Sequence, residues 1–454
     1  MGLSVLALAL ATPTAAAAAS FARGPYLQDL GSRQVAVLLE LDAPHAVTLE
    51  IARGVAGDAQ PGAGASKTVT GSTDRVHELV AGGLEPATSY RYTVRVDDGT
   101  TATGSFTTAP EDDRPFRFLL YGDNRSDGTA HAAVVHQMLQ TPGDFLVQTG
   151  DMVADGSDPA DWLRFFAIEH DLLRDRCTFA AIGNHEIALP TSDGALRFAR
   201  LFRNAGPAGS RERYSTFRWG DARFFMLDAQ DDFASEERAW LEGALVAADA
   251  EPGLTWRFAV LHHGPYSSGL HGPNVALQLA HVPELLRTHH VDAVFSGHDH
   301  VYERGEVPVR AADGAVGPLR YVISGGGGAP LYPEHRDEPT VQRFEAVHHF
   351  LSVEVTRTQA TLTAIRKDGS VLERCTIAPG GVGGWTGCPS AHEAAAATNG
   401  ASSPSPANGA PAPGRRACDC SFALHDAEWV GGCLATALLL VAGVRRKTRP
   451  DDPA

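Results

Sequence analysis

Five apolar runs along the chain end abruptly in side chains that can bind metal ions or carry protons. The runs are FRFLLYGDN, DFLVQTGD, FAAIGNHE, RFAVLHH and DAVFSGHDH, and their polar endings supply Asp123, Asp151, Asn184, His185, His262, His263, His298 and His300. Carboxylates, an amide and imidazoles are ligands suited to zinc and to divalent or trivalent transition metals. Histidine is also abundant, with 19 residues in a chain of 454. These residue types indicate metal chemistry.

The number of candidate ligands indicates more than one ion. Taken singly, each ending is a weak signal, because Gly-Asp often follows a strand and an Asn-His pair is often a turn. Five such endings in one chain make a purely structural explanation poor. One zinc ion needs only three or four ligands, so the surplus predicts two adjacent ions that share a bridging carboxylate. Such a pair stabilises the attacking and leaving oxygens in phosphoryl transfer.

The elements that carry these residues predict an α/β core. Helical stretches with apolar residues at i, i+3 and i+4 lie between the runs, among them HAAVVHQMLQ, DWLRFFAIEHDLLRD and SEERAWLEGALVAAD. Because ligands of such a core gather on the loops after the strand ends, the five endings should converge. Residues 22–110 instead read as short strands of alternating polarity, typical of an all-β sandwich. We expect a multidomain chain in which this sandwich acts as a wall or platform for the α/β domain.

The five endings and their neighbours resemble the calcineurin-like metallophosphoesterases, and in particular the purple acid phosphatase branch. The resemblance covers about residues 22–376. The motifs that carry it are Gly122-Asp123, Gly150-Asp151, Gly183-Asn184-His185-Glu186, His262 and GHDHVYER at residues 297–304. The run GLEPATSYRYTVRVDDGTTATGSFTTAP also resembles the end of a fibronectin type III-like domain. The resemblance implies such a domain over residues 22–110. It also implies a catalytic domain over residues 114–376, with a four-layer β-sandwich core flanked by helices.

The resemblance further implies ligands for two metal ions, whose identity (Fe, Mn, Zn or Ca) stays open. The ligands are Asp151 as the bridge, Asp123 and His300 at the first ion, and Asn184, His262 and His298 at the second. The first site departs from the family twice. The tyrosine that gives purple enzymes their colour is replaced by Ala154, and the histidine of the wider superfamily is replaced by Arg125. Arg125 either contacts the substrate phosphate or forms a salt bridge to a loop carboxylate.

Two further histidines receive roles from the resemblance. His185 is not a ligand and would lie against the substrate phosphate and protonate the leaving group. In the family the ligand histidine lies four residues before an aromatic and nine before a His-Gly-Pro that contacts phosphate. Counting from His262 leads to Tyr266 and to the His-Gly-Pro that begins at His271, so His262 is the ligand. His263 is then expected to face the pocket wall or the next loop.

The expected activity is hydrolysis of phosphate monoesters by direct attack of a metal-bound hydroxide, without a covalent phospho-enzyme. The expected substrate is a phosphorylated small molecule or another phosphoester. A net charge of −16 argues against nucleic-acid binding. One alternative is a phosphodiesterase or nucleotide hydrolase on the same site, decided by loops such as residues 190–213 and 304–317. Another is a surface binding protein whose weakened first site no longer catalyses turnover.

The N-terminus predicts export. Residues 1–20 read as a secretory signal peptide, with an apolar run over residues 3–10 and an Ala-x-Ala-like cleavage site at residues 17–19. Lys and Arg are missing before the apolar run, and a buried N-terminal helix is the alternative. Cys375 and Cys388 could form a disulfide in an oxidising compartment, whereas Cys177 lies in an apolar run and should be buried.

The C-terminus predicts attachment to the cell surface. Residues 377–416 are rich in Gly, Ala, Pro and Ser and read as a flexible linker. Residues 417–454 carry a Cys-Asp-Cys motif, an apolar segment and an Arg-rich cluster, an order that resembles myxobacterial surface-sorting signals. A sorting or processing machinery would then be a partner, and the protein would contact the membrane only through this segment. A tail anchor or an amphipathic helix is the alternative, and both interpretations place the folded body outside the cytoplasm.

Overall fold

The computed structural model describes residues 18–388, except for 55–66, 188–193, 205, 208–212, 230–232, 234, 334–335 and 337. Nearly all of the predicted signal peptide (1–20), most of the linker (377–416) and the whole sorting segment (417–454) therefore lie outside the described residues. Within the described part, the helices are all too short or too polar to cross a bilayer.

The N-terminal part is an all-antiparallel β unit. Its strands are β1 (Phe21–Gln28), β2 (Gln34–His45), β3 (Val47–Arg53), β4 (Lys67–Thr70), β5 (Asp74–Gly82), β6 (Ser89–Val96) and β7 (Thr101–Thr107). They form a three-stranded sheet, β1-β2-β5, and a four-stranded sheet, β4-β3-β6-β7. Alternate residues of β6 are buried, as expected where one face of a strand meets a core. Buried residues of both sheets share one hydrophobic cluster, so the two sheets pack face to face. Its fibronectin type III-like identity stays a prediction.

The rest of the described part is a mixed α/β unit built on two larger sheets. Its strands are β8 (Phe116–Tyr121), β9 (Phe145–Gln148), β10 (Cys177–Ala180), β11 (Ser215–Trp219), β12 (Ala222–Met226), β13 (Trp256–Val260), β14 (Ala293–Ser296), β15 (Tyr302–Arg310), β16 (Val316–Ser324), β17 (Val341–Glu345), β18 (His349–Val355), β19 (Ala360–Arg366) and β20 (Val371–Ile377). The six-stranded sheet has the order β10-β9-β8-β18-β19-β20, and the seven-stranded sheet has the order β11-β12-β13-β14-β16-β15-β17. Strands β8, β9 and β10 are parallel, as are β12, β13, β14 and β16.

Helices cover the outer faces of these two sheets. They are α1 (Gly128–Gln140), α2 (Pro159–Asp175), α3 (Asn184–Ile187), α4 (Gly194–Leu201), α5 (Ser235–Asp249), α6 (Val275–Leu279) and α7 (Val282–Thr288). Between the sheets, the Phe118 ring of β8 lies 5.2 Å from that of Phe224 and 5.9 Å from that of Phe295. Leu119, the next residue of β8, instead packs in a separate cluster with residues of α1 and α2. Residues of α5 and α7 form a third cluster with the seven-stranded sheet. The order of layers is helices, sheet, sheet, helices.

The β unit lies directly against the α/β unit. The Tyr26 hydroxyl of β1 donates to the Leu201 carbonyl at 2.9 Å, and the Tyr92 hydroxyl of β6 donates to the Arg174 carbonyl at 2.8 Å. Both hydroxyls reach residues of helices that flank the six-stranded sheet, on the side opposite the second large sheet. The β unit thus supports the outer surface of that sheet.

The cysteines of the described part behave as the sequence indicated. Cys375 of β20 and Cys388 form a disulfide, and Cys177 at the start of β10 is a buried free thiol.

Candidate metal centre

The candidate ligands converge because they follow the carboxyl ends of neighbouring parallel strands. Asp123, Asp151 and Asn184 follow β8, β9 and β10 of the six-stranded sheet. His262 and His298 follow β13 and β14 of the seven-stranded sheet. Carboxyl ends of parallel strands meet at one edge of a sheet. The two sheets pack face to face, so the loops of both edges meet and the site lies between them.

The first group of donors consists of Asp123, Asp151 and His300. All three are buried, and one ligand atom from each lies within 4.8 Å of the others. The Nδ1–H of His300 donates to the Pro330 carbonyl at 2.6 Å. Its Nε2 therefore presents a lone pair to the group, 3.6 Å from Oδ1 of Asp123. Two carboxylates and an imidazole lone pair form a donor set for a divalent or trivalent metal.

The second group of donors consists of Asn184, His262 and His298, with Asp151 shared between the groups. Asn184 Oδ1 lies 3.0 Å from His262 Nε2 and 3.1 Å from His298 Nδ1. The two histidine nitrogens are 3.1 Å apart, and His262 Nε2 lies 3.3 Å from Asp151 Oδ1. Donors that share one ion at ~2.0–2.1 Å lie about 2.9–3.4 Å apart. These distances therefore fit a common ion.

The polarity of the second group also favours a cation. His262 donates its Nδ1–H to the Thr149 carbonyl at 2.9 Å, which directs Nε2 toward the other donors. Burial lowers the pKa of His262, but the Asp151 and Asp123 carboxylates outweigh that effect and raise the pKa to about 9. The carboxylates thus stabilise positive charge at the point where the amide oxygen and the imidazole nitrogens meet. A proton or a metal ion would supply that charge.

The loops that carry the ligands have an unusual backbone. Asp123, Asp151 and His298 have φ of 56°, 55° and 72°, in the left-handed region that glycine favours. The motif glycines are required here by close approach. A Cβ at Gly297 would lie 2.3 Å from Asp123 Oδ2, and a Cβ at Gly183 would lie 2.3 Å from Asp151 Oδ1. The Gly-x pairs of the motifs therefore make room for the ligand oxygens.

A buried carboxylate holds the Asp151 loop, and the sequence predicted no role for it. Glu186 is fully buried, and its Oε2 accepts from the backbone N–H of Asp151 at 2.8 Å and of Gly183 at 2.7 Å. Its Oε1 accepts from the N–H of Met152 at 2.8 Å and of Val153 at 3.3 Å. One side chain thus ties the loop after β9 to the loop after β10.

A second buried carboxylate supports the same strand ends from behind. Glu169 of α2 accepts from the Tyr121 hydroxyl at the end of β8. The same oxygen, Oε1, accepts from Asn124 and from Gln148, the last residue of β9, at 3.0 Å each. Because Asn124 follows Asp123 directly, this network restrains the loop of a ligand. The helical spacing of the sequence predicted that Glu169 lies on a helix, but it did not predict that Glu169 contacts these strand ends.

Histidines without ligand positions line the open side of the site. His185 is half-buried and donates its Nδ1–H to the Ala154 carbonyl at 2.6 Å, while its Nε2 lies 3.8 Å from Asp151 Oδ2. His271 is exposed, and its ring centroid lies 4.4 Å from that of His298. The Nε2–H of His263 donates to the Gly272 carbonyl at 3.0 Å. His263 thus contacts the next loop, and the structure places His262 among the donors.

Arg125 lies beside the first group of donors. Its Nε donates to Asp151 Oδ2 at 3.2 Å, and its Nη2 lies 3.3 Å from His300 Nε2. The sequence left a phosphate contact or a salt bridge open for Arg125, and the structure shows an ion pair with a predicted ligand. Ala154 has no side-chain donor, whereas the ring of Tyr332 stacks on that of His300 with centroids 4.2 Å apart. No motif singled out Tyr332, which lies beyond the last of them.

Comparisons with known proteins agree with this geometry. The profile of the family described as calcineurin-like phosphoesterase matches residues 116–302. A probable purple acid phosphatase 20 of Arabidopsis thaliana is 26% identical over 285 residues, covering 60% of this chain and 65% of that protein. Purple acid phosphatase 15 of the same plant is 32% identical over 166 residues, covering 35% of this chain and 31% of that protein. The chain therefore spans less than two thirds of the length of these relatives.

Solved structures show the same fold. A purple acid phosphatase from yellow lupin (Lupinus luteus) seeds aligns with a TM-score of 0.65 and 18% identity, over 78% of this chain and 74% of its own. The structure of PhoD aligns with a TM-score of 0.61 and 13% identity, over 78% of this chain and 90% of its own. At these identities the likenesses show a shared fold. Residues 116–302 are thus similar to the calcineurin-like phosphoesterase family, and purple acid phosphatases are among the relatives and structural neighbours of the chain.

Proposed function

We propose that this protein is an exported, metal-dependent phosphoesterase that hydrolyses phosphate monoesters at a site for two ions. The observation that carries the proposal is the convergence of donors from both sheets into two adjacent groups that share Asp151. The family match over residues 116–302 supports the reaction class. The mixed set of carboxylate, amide and imidazole donors accepts Fe, Mn or Zn and, less well, Ca.

The two donor groups would hold the ions on the floor of the site. Asp123, Asp151 and His300 would hold the first, and Asn184, His262 and His298, with Asp151, the second. Metal ions held there lower the pKa of a coordinated water and offset the negative charge of a phosphate ester. Asp123, Asp151, His262 and His300 are buried, which lowers the local dielectric and strengthens these charge interactions.

The open side of the site would bind and orient the substrate. With Nδ1 donating to the Ala154 carbonyl, a protonated His185 presents Nε2–H to the site and can give that proton to the leaving ester oxygen. His271 has its backbone N–H fixed by Asp299 Oδ1 at 2.9 Å, while its side chain is exposed. Its ring stands over the second group of donors, where it can donate to a phosphate oxygen. Arg125 can form a bidentate pair with phosphate once it leaves Asp151.

Substrate tests distinguish this proposal from its rivals. Purified protein would be freed of metal and assayed on an aryl phosphate and an aryl phosphodiester with Fe, Mn, Zn or Ca added back. The proposal expects turnover of the monoester. Preference for the diester would favour a phosphodiesterase or nucleotide hydrolase on the same site. No turnover with any metal would favour a surface binding protein and refute the proposal.

The ligand assignment is tested by Asp151→Asn. Asparagine tolerates the left-handed backbone at this position, so the substitution removes the charge with little backbone strain. We expect Asp151→Asn to lose bound metal and activity together. The matched control is Asp313→Asn, because Asp313 is an exposed turn residue away from the site. If elemental analysis finds the same metal content in Asp151→Asn as in the wild type, the assignment is wrong.

Export and surface attachment form a separate part of the proposal. The signal-like residues 1–20, the linker and the segment 417–454 support it, and a disulfide between Cys375 and Cys388 suits an oxidising compartment. The C-terminal sorting or processing machinery would be a partner of the protein. The fibronectin type III-like unit would support the α/β domain. Cell fractionation and surface proteolysis with an antibody against residues 114–376 test this part. A protein that stays in the cytoplasm with residues 1–20 intact would contradict it.

A further inference from the structure

The side chain of Arg125 occupies the space beside the first group of donors. Two of its hydrogen bonds are to atoms that the proposed function assigns to the first ion. Its Nε donates to Asp151 Oδ2 at 3.2 Å, and its Nη2 reaches His300 Nε2 at 3.3 Å. The side chain is 15% exposed, so these contacts are partly sheltered from water. Arg125 therefore competes directly for donor atoms.

The competition at His300 is exclusive. The Nδ1–H of His300 donates to the Pro330 carbonyl at 2.6 Å, so the neutral ring has a single lone pair, on Nε2. That lone pair can accept the N–H of Arg125 or bind an ion, and it cannot do both. The stacking of Tyr332 on the His300 ring, with centroids 4.2 Å apart, holds the ring in this orientation.

Charge acts in the same direction. A guanidinium is a permanent cation, so it offsets the carboxylate charge of Asp123 and Asp151 that would otherwise attract an ion. It also repels an ion that approaches the same atoms. The second group differs, since Asn184, His262 and His298, which contact one another and Asp151, carry no permanent positive charge.

We propose that Arg125 makes the two metal positions unequal. The protein holds one ion tightly between Asp151, Asn184, His262 and His298, and an ion binds at the first position only when Arg125 moves away. This inference rests on the proposed function for the assignment of the donors, and it concerns metal binding alone. Arg125 is in this sense a positioning residue that sets how many ions the site retains.

Metal stoichiometry tests the inference independently of catalysis. Wild type, Arg125→Ala and Arg125→Gln would be loaded with Mn²⁺ or Zn²⁺, desalted and examined by elemental analysis. Isothermal titration with the same ions would give the affinity of each binding step. Arg164→Ala is the matched control, because Arg164 is an exposed arginine that pairs with Asp161 on α2, away from the site.

We expect wild type and Arg164→Ala to retain about one equivalent of metal, and both Arg125 variants about two. The dissociation constant of the weaker step should fall by about tenfold or more, because a positive charge is removed from a partly buried site. Two equivalents in the wild type, or one equivalent in both Arg125 variants, would overturn the inference and leave the proposed function intact. If none of these proteins retains metal, both the inference and the proposed function are wrong. Unchanged activity of Asp151→Asn would then show that the error lies in the assignment of the donors.

Discussion

The strongest test of how the site is built is Glu186→Gln. Glutamine has the shape of glutamate but carries an NH₂ group in place of one carboxylate oxygen. Both oxygens of Glu186 accept two backbone N–H groups each, from Gly183 and Asp151 on one side and from Met152 and Val153 on the other. Either orientation of the amide therefore leaves two buried N–H groups facing another donor. We expect lower stability and weaker metal retention.

The size of the effect follows from these contacts. A hydrogen bond to a charged group contributes about 1.5–3 kcal/mol, so two lost bonds cost about 3–6 kcal/mol of unfolding free energy. A destabilisation of that size lowers the melting temperature by roughly 6 °C or more. Because one of the bonds fixes the backbone of Asp151, metal content should fall as well.

The assay is thermal unfolding at a fixed scan rate, with metal loaded and with chelator present, followed by elemental analysis. Glu354→Gln is the control, because Glu354 forms an exposed pair with Arg117 and its loss should cost no more than about 1 kcal/mol. A Glu186→Gln protein that melts within about 1 °C of the wild type and keeps its metal would refute the reasoning.

Three further predictions follow from the site and its margins. His185→Ala and His271→Ala should each lower kcat by roughly 10²- to 10⁴-fold with metal content preserved, and loss of metal from His185→Ala would place that residue among the ligands. The metal-loaded protein should lack a tyrosinate-to-iron absorption band, since Ala154 cannot coordinate; an intense visible band that disappears in Tyr332→Phe would contradict this. Cys388→Ser should lower the unfolding free energy by about 2–4 kcal/mol at constant metal content. Equal melting temperatures for Cys388→Ser and wild type would show that the disulfide adds no stability.

The ligand loops were predictable because their signal is local. An apolar run that ends at a polar residue can be recognised from a short segment of the sequence. The strands before Asp123, Asp151, His262 and His298 lie where these runs predicted them. Their convergence followed from the parallel arrangement of the strands, which the helices between the runs implied.

The supports of the site were not predictable in the same way. Glu186 and Glu169 act on backbone groups of other loops, and such contacts depend on how α2 and α3 pack. Nothing in the spacing indicates that Arg125 reaches Asp151 or that Tyr332 stacks on His300. The strands after residue 300 were also missed, since a segment such as Val341–Glu345 has no clean alternation and pairs because β15 lies beside it.

The left-handed backbone at Asp123, Asp151 and His298 lowers the stability of the protein at residues that are proposed to bind metal. Holding a residue other than glycine in this region costs about 1–2 kcal/mol, and aspartate bears the cost better than histidine. A glycine at position 298 would relieve that strain and remove a proposed ligand at the same time. A directed-evolution campaign that selects only for heat resistance would therefore favour replacements that abolish metal binding. Thermostable variants of this protein should be selected in the presence of a metal or for turnover.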